Sequence, residues 1–234
     1  SIVDENGNTT LQWTYDTYGQ CTSSQNAGGA NYTQVSYPSN TTRVVTNPLG
    51  ETLTYTTSAV LGVPKVISIA RAANGTVSAA TENFTYDANG YLATATDWNG
   101  NSTHYTNNSH GQPTQIVEAF GAGLARTTNI TYDATWVHMP YTTTKTNVTI
   151  DDRYDATTGT LTTHTLTDTT GGATNGQTHV WAYTYNGTGQ MLTETFPRTG
   201  TTVKNTYTYT GGRLSTITDQ LSHVYTVNTA NGTG

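Results

Sequence analysis

The chain repeats one short phrase: an aromatic or aliphatic residue, a threonine and then a tyrosine. It occurs as Trp13-Thr14-Tyr15, Phe84-Thr85-Tyr86, Ile130-Thr131-Tyr132, Tyr183-Thr184-Tyr185 and Tyr207-Thr208-Tyr209. Aspartate follows three copies (Asp16, Asp87, Asp133) and Asn186 a fourth, and glycine stands four residues past the tyrosine at Gly19, Gly90 and Gly189 and three past at Gly212. A degenerate repeat of this kind means one small unit stacked many times. Within a triplet the first and third side chains share a face while the threonine points away, which is the strand period. The Asp or Asn that follows bonds the next backbone amides, and the glycine accepts a left-handed conformation, so each phrase reads as strand, turn, strand.

A weaker half-unit alternates with the first. Asp4-Glu5-Asn6-Gly7-Asn8 precedes Trp13, Asn47-Pro48-Leu49-Gly50 precedes Tyr55, Asp97-Trp98-Asn99-Gly100-Asn101 precedes Tyr105, and Asp219-Gln220-Leu221-Ser222 precedes Tyr225. Counting both kinds places anchor tyrosines at 15, 37, 55, 86, 105, 132, 154, 185, 209 and 225. The expectation is an all-β array of stacked antiparallel hairpins over residues 1–228, solenoid- or shell-like, with 229–234 as a tail or linker. Tyrosine pairs at i, i+2 are expected to pack as ladders between strands.

The sequence Tyr86-Asp87-Ala88-Asn89-Gly90-Tyr91-Leu92, the turn Asp97–Asn101 and the ending Gly212-Arg213-Leu214 resemble the YD repeats of the RHS family. These repeats occur in bacterial RHS and insecticidal-toxin shell proteins and in teneurins. The likeness is clearest over residues 1–19, 84–116 and 183–218; Trp136 stands where the turn after Asp133 should have a glycine. The resemblance implies a long sheet spiralling into a hollow shell, sometimes around a toxic C-terminal domain. Neither an Asp-Pro autocleavage segment nor a toxin-like region stands in this stretch, so the expectation is scaffold without catalysis of its own and without a cofactor.

Composition bounds the rest. Charged residues make up 10% and hydrophobic ones 33%, yet 16 tyrosines and 4 tryptophans argue for a folded, strand-rich chain. The formal charge is −6, with nine Lys and Arg scattered singly, which argues against nucleic acid as a partner. No run of 18 apolar residues is present to make a membrane helix. Low charge and abundant Thr and Asn suit an extracellular or cell-surface setting. The expected partners are copies of the chain or adjacent repeats of a longer one, and glycans.

Candidate chemistry is sparse. Cys21 has no partner for an internal disulfide and no nearby His to activate it. His104 and His110, with Asp97, are spaced six apart on strand and turn, which does not converge metal ligands. Asp151, Asp152 and Asp155 lack the glycine and glutamate of a calcium loop. Gly121-Ala122-Gly123 and Gly171-Gly172 open no helix to cradle a phosphate, and no Gly-x-Ser-x-Gly elbow is present. Eleven asparagines form Asn-x-Ser/Thr acceptors for N-linked glycan: Asn8, Asn31, Asn40, Asn74, Asn83, Asn101, Asn107, Asn129, Asn147, Asn186 and Asn231. Trp98, in a turn, is the best exposed aromatic for stacking on a sugar, which makes a carbohydrate-binding adhesin the alternative function.

Overall fold

A computed structural model describes residues 1–121, 123–198 and 203–227. Its strands fall into two compact units, Ser1–Gly111 with Ile116–Ala125, and Gln112–Gln115 with Arg126–Gly234. The first unit holds β1 (Ile2–Val3), β2 (Thr9–Tyr15), β3 (Cys21–Asn26), β4 (Thr33–Ser39), β5 (Thr42–Thr46), β6 (Thr52–Val60), β7 (Val63–Arg71), β8 (Ala80–Tyr86), β9 (Leu92–Thr96) and β10 (Ser102–Asn107). Strand β11 (Pro113–Glu118) is shared between the two. The second unit continues with β12 (Arg126–Tyr132), β13 (Pro140–Lys145), β14 (Val148–Tyr154), β15 (Leu161–Asp168), β16 (Thr178–Tyr185), β17 (Met191–Phe196), β18 (Val203–Thr210), β19 (Arg213–Thr218) and β20 (Val224–Thr226). The only helical piece among the described residues is a three-residue turn, Ala27–Gly29.

Strands adjacent in sequence pair antiparallel, as in β2 with β3, β8 with β9, β14 with β15 and β18 with β19. Each unit is therefore a meander of hairpins, the expected all-β class. The expected tail, 229–234, lies outside the described residues.

The turns are the same object built repeatedly. In Asp87–Tyr91 the Asp87 Oδ1 accepts the backbone N–H of Asn89 and of Tyr91, both at 2.9 Å, and Gly90 N–H returns to Asp87 O at 2.9 Å. The same pattern holds at Asp4, Asp16, Asn47, Asp97, Asn186 and Asp219. The fourth residue of each turn is left-handed, which glycine allows at no steric cost: Gly90 has φ 80°. Ser222 takes this position at φ 66° in the last turn.

Hydrogen bonds hold the turn carboxylates of Asp4, Asp87, Asp97, Asp155, Asp168 and Asp219 below their ordinary range. For Asp4 and Asp97 the largest cause is the side-chain amide of Asn8 and Asn101, and for Asp87 and Asp219 it is the backbone N–H of Tyr91 and His223. Asp155 and Asp168 are lowered chiefly by Thr158 N–H and by the Thr174 hydroxyl. A carboxylate depressed in the folded state contributes stability that is present above the unfolded value, about 3.9, and lost as pH falls through the folded one. The thermal midpoint is expected to stay level from neutral pH down to about pH 4 and to drop below it. Thermal melts followed by circular dichroism across that range check this.

No hydrophobic side chain is fully buried among the described residues; Ser23, at 6% exposure, is the buried polar one. Register separates two faces instead of a core. One collects the outer residues of the triplets, such as Phe84 opposite Ala95 and Tyr207 opposite Ile217. The other collects threonines: Thr85 faces Thr94, Thr131 faces Thr142, Thr184 faces Thr193 and Thr208 faces Thr216. Hydroxyls on that face bond across the strands, at 2.7 Å for Thr184 and Thr193 and 2.6 Å for Thr208 and Thr216. The threonine in the middle of the phrase is thus a cross-strand fastener.

Candidate functional site

Every triplet ends on a β-bulge. In β8–β9 Thr85 pairs with Thr94 but Tyr86 pairs with Leu92, so the returning strand carries one extra residue, Ala93. The same slip accompanies Tyr15 opposite Cys21, Tyr132 opposite Pro140, Tyr154 opposite Leu161, Tyr185 opposite Met191 and Tyr209 opposite Leu214. Thr57 opposite Val66 repeats it without a tyrosine. A bulge interrupts the ladder, and at Cys21, Val66, Leu92, Pro140 and Met191 the carbonyl beside it is reached by a donor from the next hairpin.

That donor is usually the next anchor tyrosine. Tyr37 donates its hydroxyl to Cys21 O at 2.8 Å, and Tyr86 to Val66 O at 2.7 Å. Tyr132 donates to Pro113 O at 3.0 Å, Tyr154 to Pro140 O at 2.9 Å and Tyr209 to Met191 O at 2.8 Å. Where tyrosine is replaced, another donor serves: Asn107 Nδ2 to Leu92 O at 2.8 Å, and Thr57 Oγ1 to Thr41 O at 3.2 Å. Burial pushes the phenols of Tyr132 and Tyr154 up, which keeps them protonated and able to donate. Each such bond contributes about 1 kcal/mol.

A second set of contacts runs the other way, from the start of one return strand to the following turn. Tyr91 donates to Ser109 O at 3.2 Å, Trp136 Nε1 to Asp155 O at 3.0 Å, and Gln190 Nε2 to Gly212 O at 2.7 Å. Lys65 Nζ reaches Gly90 O at 2.5 Å. Neighbouring hairpins are therefore clasped reciprocally, the tyrosine reaching back and the turn reaching forward.

These contacts correct several expectations. The anchors in the frames of Tyr55 and Tyr105 are Thr57 and Asn107, two residues later, and Tyr225 is the plain cross-strand partner of Ile217. Aligning Tyr55-Thr56-Thr57 and Tyr105-Thr106-Asn107 on the central threonine of Phe84-Thr85-Tyr86 would have found both. No tyrosine stacks on another among the described residues; the ring pairs are His104 with Phe120 at 3.7 Å and His164 with Trp181 at 5.4 Å. The tyrosines hold hairpins through their hydroxyls rather than through ring ladders. Trp136 is a clasp that lies over the next turn's glycine, not a defective turn.

This arrangement of hairpins has known parallels. Two solved structures titled TcdB2-TccC3, one without its hypervariable C-terminal region, superpose with TM-scores of 0.70 and 0.69 at 18% identity. They cover 92% and 94% of this chain. The fold is shared. The chain spans only 11% and 12% of the length of those two chains. No protein-family model and no curated protein matches the sequence.

The candidate glycan acceptors divide by what their amides do. Asn8 and Asn101 donate Nδ2 to Asp4 and Asp97 at 3.0 and 2.9 Å, Asn186 to Gln190 at 2.9 Å, and Asn107 is the latch on Leu92. Asn74 Oδ1 accepts the amides of Thr76 and Val77, and Asn129 Oδ1 accepts from Gln115 Nε2 at 2.9 Å. Asn31, Asn40, Asn83 and Asn147 are exposed; Asn31 and Asn147 are left-handed, at φ 55° and 71°. Asn231 lies outside the described residues. The density of acceptor motifs thus has a structural source, because a turn asparagine runs straight into alternating strand threonines. Trp98 is half-buried rather than exposed, with the Arg71 guanidinium 5.0 Å over its ring.

The metal candidates do not converge. His104 stacks on Phe120, while His110 offers its backbone N–H to Asn108 Oδ1. Asp151 and Asp152 are consecutive on β14 and so face opposite ways. Asp151 accepts from the Thr142 hydroxyl and from Arg153, Asp152 pairs with His164, and Asp155 caps its own turn. Sequence spacing missed that last pairing, since His164 and Asp152 meet only through the β14–β15 register, Nδ1 to Oδ1 at 2.6 Å.

Proposed function

We propose that the chain is a structural module: a run of latched β-hairpins forming part of an extracellular shell, surface stalk or fibre, without catalysis of its own. The observation that carries this reading is the reciprocal clasp. Order is fixed between neighbours by hydroxyls, amides and turns, while no apolar side chain is fully buried among the described residues. Such a sheet propagates by adding the next hairpin, as repeat proteins do. Its natural partner is a further repeat or another copy. The resemblance of its phrases to YD repeats supports the same reading.

The fold shared with a tenth of TcdB2-TccC3 favours a more specific version, in which the module is scaffold within a larger RHS-type toxin whose active domain lies elsewhere. Electron microscopy of the native material tests both. A hollow shell or an extended fibre is expected; isolated compact particles the size of one 25.0 kDa chain would contradict it.

A further inference from the structure

Among the described residues, four aromatic rings carry one of the chain's own cations. Arg43 lies over Tyr37 at 4.9 Å, Lys65 over Tyr86 at 5.1 Å, Arg71 over Trp98 at 5.0 Å and Arg153 over Tyr141 at 3.8 Å. The aromatic face of β14 to β18 breaks that habit. There Tyr183 stands opposite Glu194, and Tyr207 donates its hydroxyl to Glu194 Oε2 at 3.0 Å. One step along the strands, His164 stands opposite both Asp152 and Trp181. Two carboxylates, two phenols and an indole thus share one face with His164, which bonds Asp152 at 2.6 Å and lies 5.4 Å from the Trp181 ring.

No lysine or arginine lies over these rings among the described residues. Lys204 pairs with Thr195 on the threonine face, and Arg198 falls beyond the end of β17. All five side chains are half-buried, so the patch is reachable but poorly screened. Burial first, then the charges of Glu194, Tyr185 and Asp152, push the Tyr183 phenol up.

We propose that Glu194, Tyr183 and Tyr207, bordered by the His164–Asp152 pair, form a binding site for an organic cation, an ammonium or guanidinium group. Ring faces attract a cation through their quadrupoles, and carboxylates add charge-assisted hydrogen bonds. Anionic ligands are repelled, and neutral sugars gain nothing from the charge. The same chemistry could come from a free polyamine or from a basic side chain on a polypeptide. The site does not depend on the structural role proposed above.

Isothermal titration of the intact chain with spermidine, a blocked arginine-rich tetrapeptide and cellotetraose tests the proposal. Saturable binding of spermidine, of the peptide or of both supports it, and which of them binds identifies the source. Glu194→Gln, which keeps an acceptor for Tyr207, should weaken that binding about tenfold. Tyr183→Leu should weaken it more than Tyr183→Phe, which keeps the ring face, a contrast that a merely structural role would not give; unfolding midpoints of the variants confirm that they fold. Binding of cellotetraose alone, no binding of either cation, or cation binding indifferent to Glu194→Gln would overturn it.

Discussion

Alanine at Gly111 is expected to destabilise the chain by about 3 kcal/mol, the sum of an overpacking cost and a left-handed backbone cost. Gly111 has φ +78°, and an added Cβ would sit 2.4 Å from the Tyr91 ring. The ring lies across the turn because the Tyr91 hydroxyl donates to Ser109 O just beside it. Expelling the ring breaks that forward clasp, while the backward latch, Asn107 to Leu92, is left without its counterpart. Gly100→Ala is the control: it has a similar φ, +83°, but nothing within 4 Å, so it bears only the backbone cost of about 1–2 kcal/mol. Urea titration of the two variants separates the contributions, and equal losses would show that the ring contact does not matter.

Trp136→Ala should cost about 2–3 kcal/mol, somewhat less than the range for a fully buried tryptophan because Trp136 is half-buried. Its indole covers Gly159, where an added Cβ would meet the ring at 3.0 Å, and its Nε1 donates to Asp155 O at 3.0 Å. Both contacts join the β12–β13 hairpin to the β14–β15 turn. Trp136→Phe keeps most of the packing and loses the hydrogen bond, so it should recover roughly half the deficit. If both substitutions left the urea midpoint unmoved, the forward clasp would contribute nothing.

The hairpins themselves were legible in the sequence because local chemistry dictates them. A strand-period triplet followed by Asp or Asn and a left-handed glycine has few other conformations open to it. The seam between hairpins was not, since it depends on register. Tyr37 meets Cys21, and Tyr209 meets Met191, only once the bulge sets which carbonyl stands beside the ring. Reading tyrosine as the anchor also hid Thr57 and Asn107, which perform the same bond with smaller donors. Trp98 looked exposed because turn residues usually are; Arg71, distant in sequence, covers it. Likewise the pairing of Asp152 with His164 could not be read from two residues twelve apart in a chain without helices.

The central claim is that tyrosine hydroxyls, more than ring packing, hold one hairpin to the next. Single Tyr→Phe substitutions measured by urea unfolding test it most directly, because they delete one oxygen and keep the ring. At Tyr37, Tyr86, Tyr132, Tyr154 and Tyr209 each is expected to cost about 1 kcal/mol. Tyr15, which is 61% exposed and donates to no earlier hairpin in the described structure, should lose almost nothing. Equal, negligible losses at all six positions would contradict the account.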